Sequence, residues 1–236
     1  MKYKRVLVKL SGEVLAGNLD FGIDQNMLLH YADEIEKVVQ KGVQLALVIG
    51  GGNIFRGTEL IENEIISKSK ADQMGMLATC INAIALSEAF SGKGIRNKHL
   101  SAFHIGKMTE EFNNDHAIEY LESGYVLILS GGTGNPFFTT DSAAALRAAE
   151  LKVDILLKGT KVDGVYSDDP AKNKYATRYT SLSFNETIQK NLKIMDTAAF
   201  AICKENKIPV IVYNTYEKGN LLKIIQGEEN IGTIIS

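Results

Sequence analysis

The segment YVLILSGGTGNPFFTTDSAAALRAAEL, residues 125–151, carries the clearest indication of the fold. Residues 125–129 form a short apolar run of the kind that a buried strand needs. Residues 142–151 form an alanine-rich helical pattern that Asp141 can cap. The polar stretch TGNPFFTTD, residues 133–141, therefore joins a strand to the start of a helix, where open α/β sheets bind anionic ligands. The alternative is an ordinary turn around a proline.

Strands and helices alternate along nearly the whole chain. This alternation predicts an α/β fold, a three-layer sandwich in which helices cover both faces of a mostly parallel central sheet. Apolar runs predict further strands at residues 5–10, 43–49, 100–105, 155–158, 209–213 and 233–235. Helical periodicity predicts helices over residues 25–41, with Asp24 as the cap, and over 71–90, and helix starts at Ser183 and Asp196.

The predicted helix over residues 71–90 has five large residues that supply its apolar positions. They are Met74, Leu77, Ile81, Ile84 and Leu86.

Composition limits the class of protein. A chain of 236 residues with 45% apolar content can bury one large core, so we expect a single domain over residues 1–236. A formal net charge of −2 argues against a general nucleic-acid binder. Cys80 and Cys203 are far apart and are expected to be reduced thiols. The basic start lacks the features of a signal peptide, and no apolar run approaches membrane-spanning length, so we expect a cytoplasmic protein without a membrane partner.

Short glycine-containing segments recur at the ends of the predicted strands. Residues 9–12 (KLSG), 50–53 (GGGN), 130–134 (SGGTG) and 158–160 (KGT) combine glycines with lysines or hydroxyls. Glycine allows backbone N–H groups to approach phosphate oxygens, and lysine brings a mobile positive charge to the same place. The convergence of four such ends predicts a phosphate-binding site.

Several common nucleotide and catalytic motifs do not occur. No glycine loop ends in Gly-Lys-Ser/Thr, and the triple glycine lacks the spacing of a dinucleotide-binding loop. The four histidines have no zinc-like spacing, and the sequence offers no convincing nucleophile with a base. A site rich in glycine, lysine and hydroxyls but without a base suits phosphoryl transfer, where catalysis is mostly positioning and charge neutralisation.

The ordered motifs of this chain resemble the bacterial UMP kinases of the amino-acid kinase superfamily. The GNPFFTTD segment is specific to uridylate kinases, whereas the lysine of the first strand and the triple glycine are shared with other superfamily kinases. The matching motifs are KLSGE (9–13), VIGGGNIFRG (48–57), ADQMGMLAT (71–79), GTGNPFFTTDSAA (132–144), LLKGTKVDGVYSDDP (156–170) and LKIMD (192–196).

The resemblance implies transfer of the ATP γ-phosphate to UMP, which gives UDP and ADP. The catalytic charges implied are Lys9 on the transferring group, Asp141 as an organising carboxylate and Lys158 as a second lysine. The implied ATP-binding residues are Lys9, Leu10, Ser11, Gly12, Gly52, Arg56, Thr160, Tyr166 and Asp169. The implied UMP-binding residues are Gly51, Asp72, Thr133, Gly134, Asn135, Pro136, Phe137, Phe138, Thr139 and Thr140.

The resemblance also implies Mg²⁺ held mainly through ATP phosphates, with no metal site of protein ligands alone. It further implies a homohexamer that GTP activates and UTP inhibits. The segment linked to GTP activation corresponds to Gly17, Asn18, Leu19, Asp20, Phe21 and Gly22.

Simpler roles remain open for some of these residues. Asp141 could serve only as a helix cap, Tyr166 as a packed aromatic and Asp169 as a turn former before Pro170. Two alternative functions also remain open, namely another small-molecule kinase of the superfamily and a non-catalytic nucleotide-binding or storage protein on the same fold.

Overall fold

A single sheet of nine strands runs through the part of the chain that the computed structural model describes, residues 1–57, 61–190, 192 and 194–236. The strands are β1 (Arg5–Leu10), β2 (Gln44–Ile49), β3 (Asn97–Ser101), β4 (Glu110–Glu111), β5 (Val126–Ser130), β6 (Ile155–Thr160), β7 (Ser181–Leu182), β8 (Val210–Asn214) and β9 (Gly232–Ile235). Their order across the sheet is β4-β3-β5-β2-β1-β6-β8-β9-β7. All pairings are parallel except that of β8 with β9.

Helices cover both faces of this sheet. They are α1 (Gly12–Ala16), α2 (Gln25–Val39), α3 (Lys68–Gly92), α4 (Asn114–Glu122), α5 (Thr140–Glu150), α6 (Phe184–Gln189), α7 (Thr197–Glu205) and α8 (Asn220–Gln226). The chain between α2 and α3 includes residues that the structure does not describe.

Alternate residues of the central strands enter two separate cores. In β1, Val6 and Val8 pack with α2, α3 and α8, whereas Leu7 packs with α4, α5 and α7 on the opposite face. Because successive side chains of a strand point to opposite faces, a strand covered on both sides must be apolar throughout. This explains the continuous apolar runs and confirms the predicted three-layer α/β sandwich.

Most predicted elements occur close to their expected places. Asp24 caps α2, Asp196 caps α7, and Ser183 and Glu186 form the capping box of α6. The strand predicted at 100–105 is displaced and spans Asn97–Ser101 instead. Its first residues are polar because β3 lies near the edge of the sheet, so the apolar pattern gave the wrong boundary.

Four of the five large apolar residues of α3 named from the sequence do not face the core. Leu86 is fully buried, but the exposed fractions of the other four lie between 42% and 51%. Those four are Met74, Leu77, Ile81 and Ile84. The small residues Ala78 and Ala83 face the core instead, together with Leu86 and Phe90. We name the set Met74, Leu77, Ile81 and Ile84 the α3 stripe.

The expectation that no apolar segment approaches membrane-spanning length is wrong for helix α3. Its 25 residues are long and apolar enough to cross a membrane by length and composition alone. A core helix of a water-soluble protein passes the same test, and one side of α3 packs in the core beside α2, β3 and β5.

The buried side of α3 allows a test of this packing. We expect Leu86→Ala to lower the free energy of unfolding by about 2–5 kcal/mol, because it leaves a cavity in a fully buried position. Leu29→Ala on α2, where the leucine is exposed, should change it by no more than about 0.5 kcal/mol. Urea denaturation at equal protein concentrations measures both values. Equal effects of the two variants would contradict this assignment of the core.

Candidate active site

Two lysines and one carboxylate form a buried cluster at the carboxyl ends of the central strands. Lys9 of β1 and Lys158 of β6 are direct partners in the parallel register. Asp141, in the first turn of α5, lies between them, with its Oδ1 2.9 Å from Lys9 Nζ and its Oδ2 2.6 Å from Lys158 Nζ. Only 12–14% of each side chain is exposed. The structure therefore brings together the three residues predicted to be catalytic.

Burial and charge act against each other in this cluster. Burial alone would raise the pKa of Asp141, but the positive charges of Lys9 and Lys158 outweigh it and hold that pKa below its ordinary value. Burial lowers the pKa of Lys158, which the Asp141 carboxylate opposes and the charge of Lys9 reinforces. One carboxylate thus holds two lysine side chains next to each other, and the negative charge of Asp196 also acts on Lys158.

The prediction that Asp141 caps a helix is wrong. Thr139 is the N-cap of α5, and its hydroxyl oxygen accepts hydrogen bonds from the N–H groups of Asp141 (3.1 Å) and Ser142 (3.4 Å). Since a threonine already performs this role, the Asp141 carboxylate is available to the lysines. This geometry agrees with the organising role that the resemblance implies.

The two glycine loops that follow β1 and β2 lie in direct contact. A Cβ atom on Gly12 would stand 2.7 Å from both Gly50 O and Gly52 N, so only glycine fits at this position. Gly51 is equally confined, because its Cβ would stand 2.8 Å from Gly75 O of α3. Ser11 caps α1 by accepting a hydrogen bond from Glu13 N (3.3 Å). The loops predicted to bind phosphate are therefore packed closely against each other.

A first pocket opens beside these loops, and the predicted UMP-binding residues Gly51, Asp72, Phe138, Thr139 and Thr140 line it. Gly52, predicted to contact ATP, also lines this pocket. Lys68 is a lining residue that the sequence analysis missed, although its position one helical turn before Asp72 was a usable signal.

Asp72 connects helix α3 to the loop that joins β5 and α5. Its carboxylate accepts a hydrogen bond from Phe137 N (2.8 Å) and lies 3.2 Å from Lys68 Nζ. Phe137 has a positive φ of 72°, a conformation that is uncommon outside glycine. Asp72 thus stabilises an unusual turn of this loop from outside it.

The remaining predicted residues of the loop stand just before this turn. Thr133 and Asn135 bind each other, since the threonine hydroxyl donates to Asn135 O and accepts from Asn135 N, both at 3.1 Å. Gly134 has a positive φ of 82° and would place a Cβ 3.2 Å from Ala102 O. Pro136 is half-buried. This part of the loop is a local turn whose contact with a ligand stays a prediction.

A second pocket includes Lys158 of the cluster in its lining. Lys158, Thr160, Tyr166 and Asp169, all predicted to serve catalysis or ATP binding, line it together. The Tyr166 hydroxyl donates to Asp163 Oδ1 (2.7 Å), and this bond raises the pKa of the tyrosine. Lys190 is a further lining residue that was not predicted.

Three further parts of the predicted site lie away from the two pockets, namely Arg56, the segment 17–22 and Leu10. Arg56 donates from Nε to Gly52 O (3.1 Å), and its Nη2 lies 2.7 Å from Glu13 Oε1, so it bridges the two glycine loops. The segment 17–22 is mostly exposed, including the side chains of Leu19 and Phe21. Leu10 is buried in the core below the cluster.

Asp196 makes more contacts than the sequence predicted. It was predicted only as a helix start, yet its carboxylate accepts hydrogen bonds from Ser142 Oγ (2.7 Å), from Ala199 N (2.8 Å) and from the Thr139 hydroxyl. It therefore joins the start of α5 to the start of α7. Its place in the LKIMD motif was the available signal, and Lys193 of that motif lies outside the described residues.

The fold and this site define a kinase for small molecules, and residues 4–214 match the Amino acid kinase family. A uridylate kinase from Porphyromonas gingivalis is 50% identical over 234 residues, which cover 99% of this chain and 97% of the relative. One from Bacteroides thetaiotaomicron is 47% identical, with 99% and 98% covered. The chain belongs to the uridylate kinases of the Amino acid kinase family.

A solved structure agrees with this relationship. The UMP kinase from Bacillus anthracis superposes with a TM-score of 0.96 at 36% identity, covering 100% of this chain and 97% of that one. The predicted family resemblance is thereby confirmed.

The cluster leads to a prediction for Lys9. We expect Lys9→Ala to lower kcat on the order of a hundredfold or more, because the positive charge stabilises the transition state more than the ground state. Lys4→Ala is the matched control, since that lysine is exposed just before the same strand, and it should change kcat less than twofold. Steady-state kinetics and thermal unfolding of both variants measure this. A Lys9→Ala variant with near-normal kcat and only a raised KM for ATP would reduce Lys9 to a binding residue.

Proposed function

We propose that this protein transfers the γ-phosphoryl group of ATP to UMP and releases UDP and ADP. The observation that carries the proposal is that Lys158 of the Lys9–Asp141–Lys158 cluster lines one pocket, while Thr140, the neighbour of Asp141 in sequence, lines the other. One pocket is lined by the loop that distinguishes uridylate kinases, and the other by residues of the predicted ATP site. A phosphoryl group passing between the pockets would pass the buried lysines.

The reaction needs positioning more than proton transfer. An oxygen of the UMP phosphate attacks the γ-phosphorus, and the bond from that phosphorus to the β–γ bridging oxygen breaks, so the bond electrons leave with ADP. A phosphate monoester with a second pKa of about 6 is largely dianionic at neutral pH, so no general base is required. Lys9 and Lys158 offset the repulsion between the two anions. Asp141 fixes both ammonium groups in place.

We assign one of the two pockets to each nucleotide. We assign ATP to the pocket of Thr160, Tyr166 and Asp169, with its phosphates directed at Lys158 and the glycine loops. We assign UMP to the pocket of Asp72 and Thr140, with its phosphate next to the start of α5. The N–H groups at a helix start favour an anion there. We assign Arg56, which donates to Gly52 O beside the glycine loops, to the ATP phosphates.

Mg²⁺ is proposed as the partner of the nucleotide rather than of the protein. The carboxylate closest to the reacting groups, Asp141, is already paired with two lysines and is a poor metal ligand. Within the described residues, no group of three His, Cys, Asp or Glu side chains is arranged to hold a metal ion. This donor set fits a cation that ATP phosphates hold and that withdraws charge from them. Lys9 and the backbone N–H groups would complete the neutralisation.

The α3 stripe supports a proposal of self-association in a homohexamer. Four large apolar side chains in one row on one helix form an exposed patch of the kind that marks an interaction surface. A second copy of the chain is the proposed occupant, as in the assembly that the family resemblance implies. Activation by GTP through residues 17–22, inhibition by UTP and a cytoplasmic location belong to the same proposal.

The acceptor assignment predicts strong selectivity. We expect UMP to exceed CMP, AMP and acetylglutamate in kcat/KM, because a site built from hydrogen-bonding groups rejects acceptors that leave those groups unpaired. A coupled assay of ADP release with these four acceptors measures this. Equal kcat/KM for CMP or AMP would contradict the assignment, and activity on acetylglutamate alone would indicate another kinase of the superfamily. Nucleotide binding without any turnover would indicate a storage protein.

The proposed assembly predicts the effect of a charge in the α3 stripe. We expect the wild type to sediment as a species several times larger than the 25.8 kDa chain, and Leu77→Glu to shift it to smaller species, because a buried unpaired charge opposes association. Leu29→Glu, at an exposed leucine of α2, is the control and should leave the assembly intact. Sedimentation velocity distinguishes these outcomes. A wild type that sediments at 25.8 kDa would contradict the proposed assembly.

A further inference from the structure

Two buried asparagines behind the glycine loops exchange hydrogen bonds with each other. Asn82 of α3 is 0% exposed and Asn53 is 3% exposed. Asn82 Nδ2 donates to Asn53 Oδ1 (2.7 Å), and Asn53 Nδ2 donates to Asn82 Oδ1 (2.9 Å). Each amide therefore acts as donor and acceptor toward the other.

The second hydrogen of each amide reaches a different segment of the chain. Asn82 Nδ2 also donates to Gly50 O (2.8 Å), and Asn53 Nδ2 also donates to Gly22 O (2.8 Å). The backbone of Asn53 accepts a hydrogen bond from Gly22 N, again at 2.8 Å. All four amide N–H bonds are used, so the pair forms a completely satisfied buried network.

This network stands directly behind the phosphate-binding loops. A Cβ atom on Gly12 would lie 2.5 Å from Asn53 Oδ1, which shows how closely the amide supports the first loop. Gly50 begins the second loop, and its N–H donates to Leu10 O (2.9 Å). The same two side chains therefore contact the loop after β1, the loop after β2 and the end of the segment 17–22.

Stability alone is a weak reason for such a pair. Apart from Thr79, the other buried residues of α3 are apolar, and a buried amide gains little net stability even when every hydrogen bond is made. A hydrogen-bonded pair differs from an apolar one because it fixes direction as well as distance. The Gly50 carbonyl is held in one orientation, which sets the course of the following glycines.

We propose that Asn53 and Asn82 are positioning residues that align the two glycine loops, and so set kcat without touching either substrate. The proposal rests on the proposed function, because it assumes that these loops hold the reacting phosphates. It also makes Asn53 the physical link between segment 17–22 and the phosphate site. Misaligned loops would still bind both nucleotides but would hold them poorly in line.

A matched pair of asparagine variants tests this role. Asn97, at the start of β3, also makes amide hydrogen bonds to the far end of α3, with Ser87 and Ser91, and donates to the Ile95 carbonyl just after the helix. We expect Asn82→Ala to lower kcat tenfold or more, with KM for ATP and for UMP changing less than threefold. Asn97→Ala should lower the melting temperature as well but leave kcat within twofold. Kinetics are measured well below both melting temperatures.

A second variant keeps the shape of the side chain. Asn82→Asp retains a donor toward Gly50 O only while its carboxyl is protonated, and burial raises the pKa of such a carboxyl. The ratio of its kcat to that of the wild type should therefore rise as the pH falls from 8.5 to 6.5. Taking the ratio removes the titration of the UMP phosphate itself. A ratio independent of pH would count against the directional role.

Amide hydrogen exchange provides a readout that does not need activity. Peptides covering residues 9–13 and 48–55 should exchange faster in Asn82→Ala than in the wild type, and not in Asn97→Ala. If both alanine variants behave alike in kcat and in exchange, the positioning role is overturned. If the wild type does not phosphorylate UMP, the proposed function fails, and the exchange comparison alone then decides the role of the pair.

Discussion

The cost of burying two like charges at neighbouring strand ends is the constraint on which this structure depends. Lys9 and Lys158 face each other across a parallel register, nearly removed from water. Removing an ion from water is expensive unless the ion is paired and well hydrogen-bonded. Asp141 meets that requirement for both, and Lys158 gains a further acceptor in the carbonyl of Ile194. The remaining positive charge is what a phosphoryl group in transfer would find there.

The surrounding architecture keeps this carboxylate in position. Thr139 takes over the capping of α5, and Asp196 binds Thr139 and Ser142 from the start of α7. The first turn of α5 is thus held from outside, while Asp141 projects toward the sheet. Close packing of Gly12 against the second glycine loop brings backbone donors to the same edge. The site is therefore built on strand ends and helix starts, elements that move less than free loops do.

Sequence patterns predicted what is local and contiguous. The strands β1, β2, β5 and β6 could be predicted from their apolar runs because both of their faces are buried. The loop of residues 133–140 could be predicted because its functional residues are consecutive in the sequence. The role of Asp141 as a cap was predicted wrongly, since Thr139 and Asp141 are both good capping residues and nothing nearby in sequence decides between them. The wider role of Asp196 and the Asn53–Asn82 pair depend on partners that only the tertiary fold brings close. The polar start of β3 was missed for a related reason, because the short strand β4 pairs only with Leu100 and Ser101, and a strand next to the edge is not required to be apolar throughout.

Helix α3 carries most of its large apolar side chains on the side away from the core. Its largest apolar side chains form the exposed α3 stripe, whereas its buried side carries small residues and Asn82. A helix that serves only a core would show the opposite arrangement. Small residues allow the glycine loop to approach closely, since a Cβ atom added to Gly51 would stand only 2.8 Å from Ala78 Cβ. They also leave room for an amide to reach Gly50. A proposed interface on one side and a phosphate loop on the other are thereby joined by one rigid element, so a displacement of α3 imposed by a partner copy would reach the loop through Asn82.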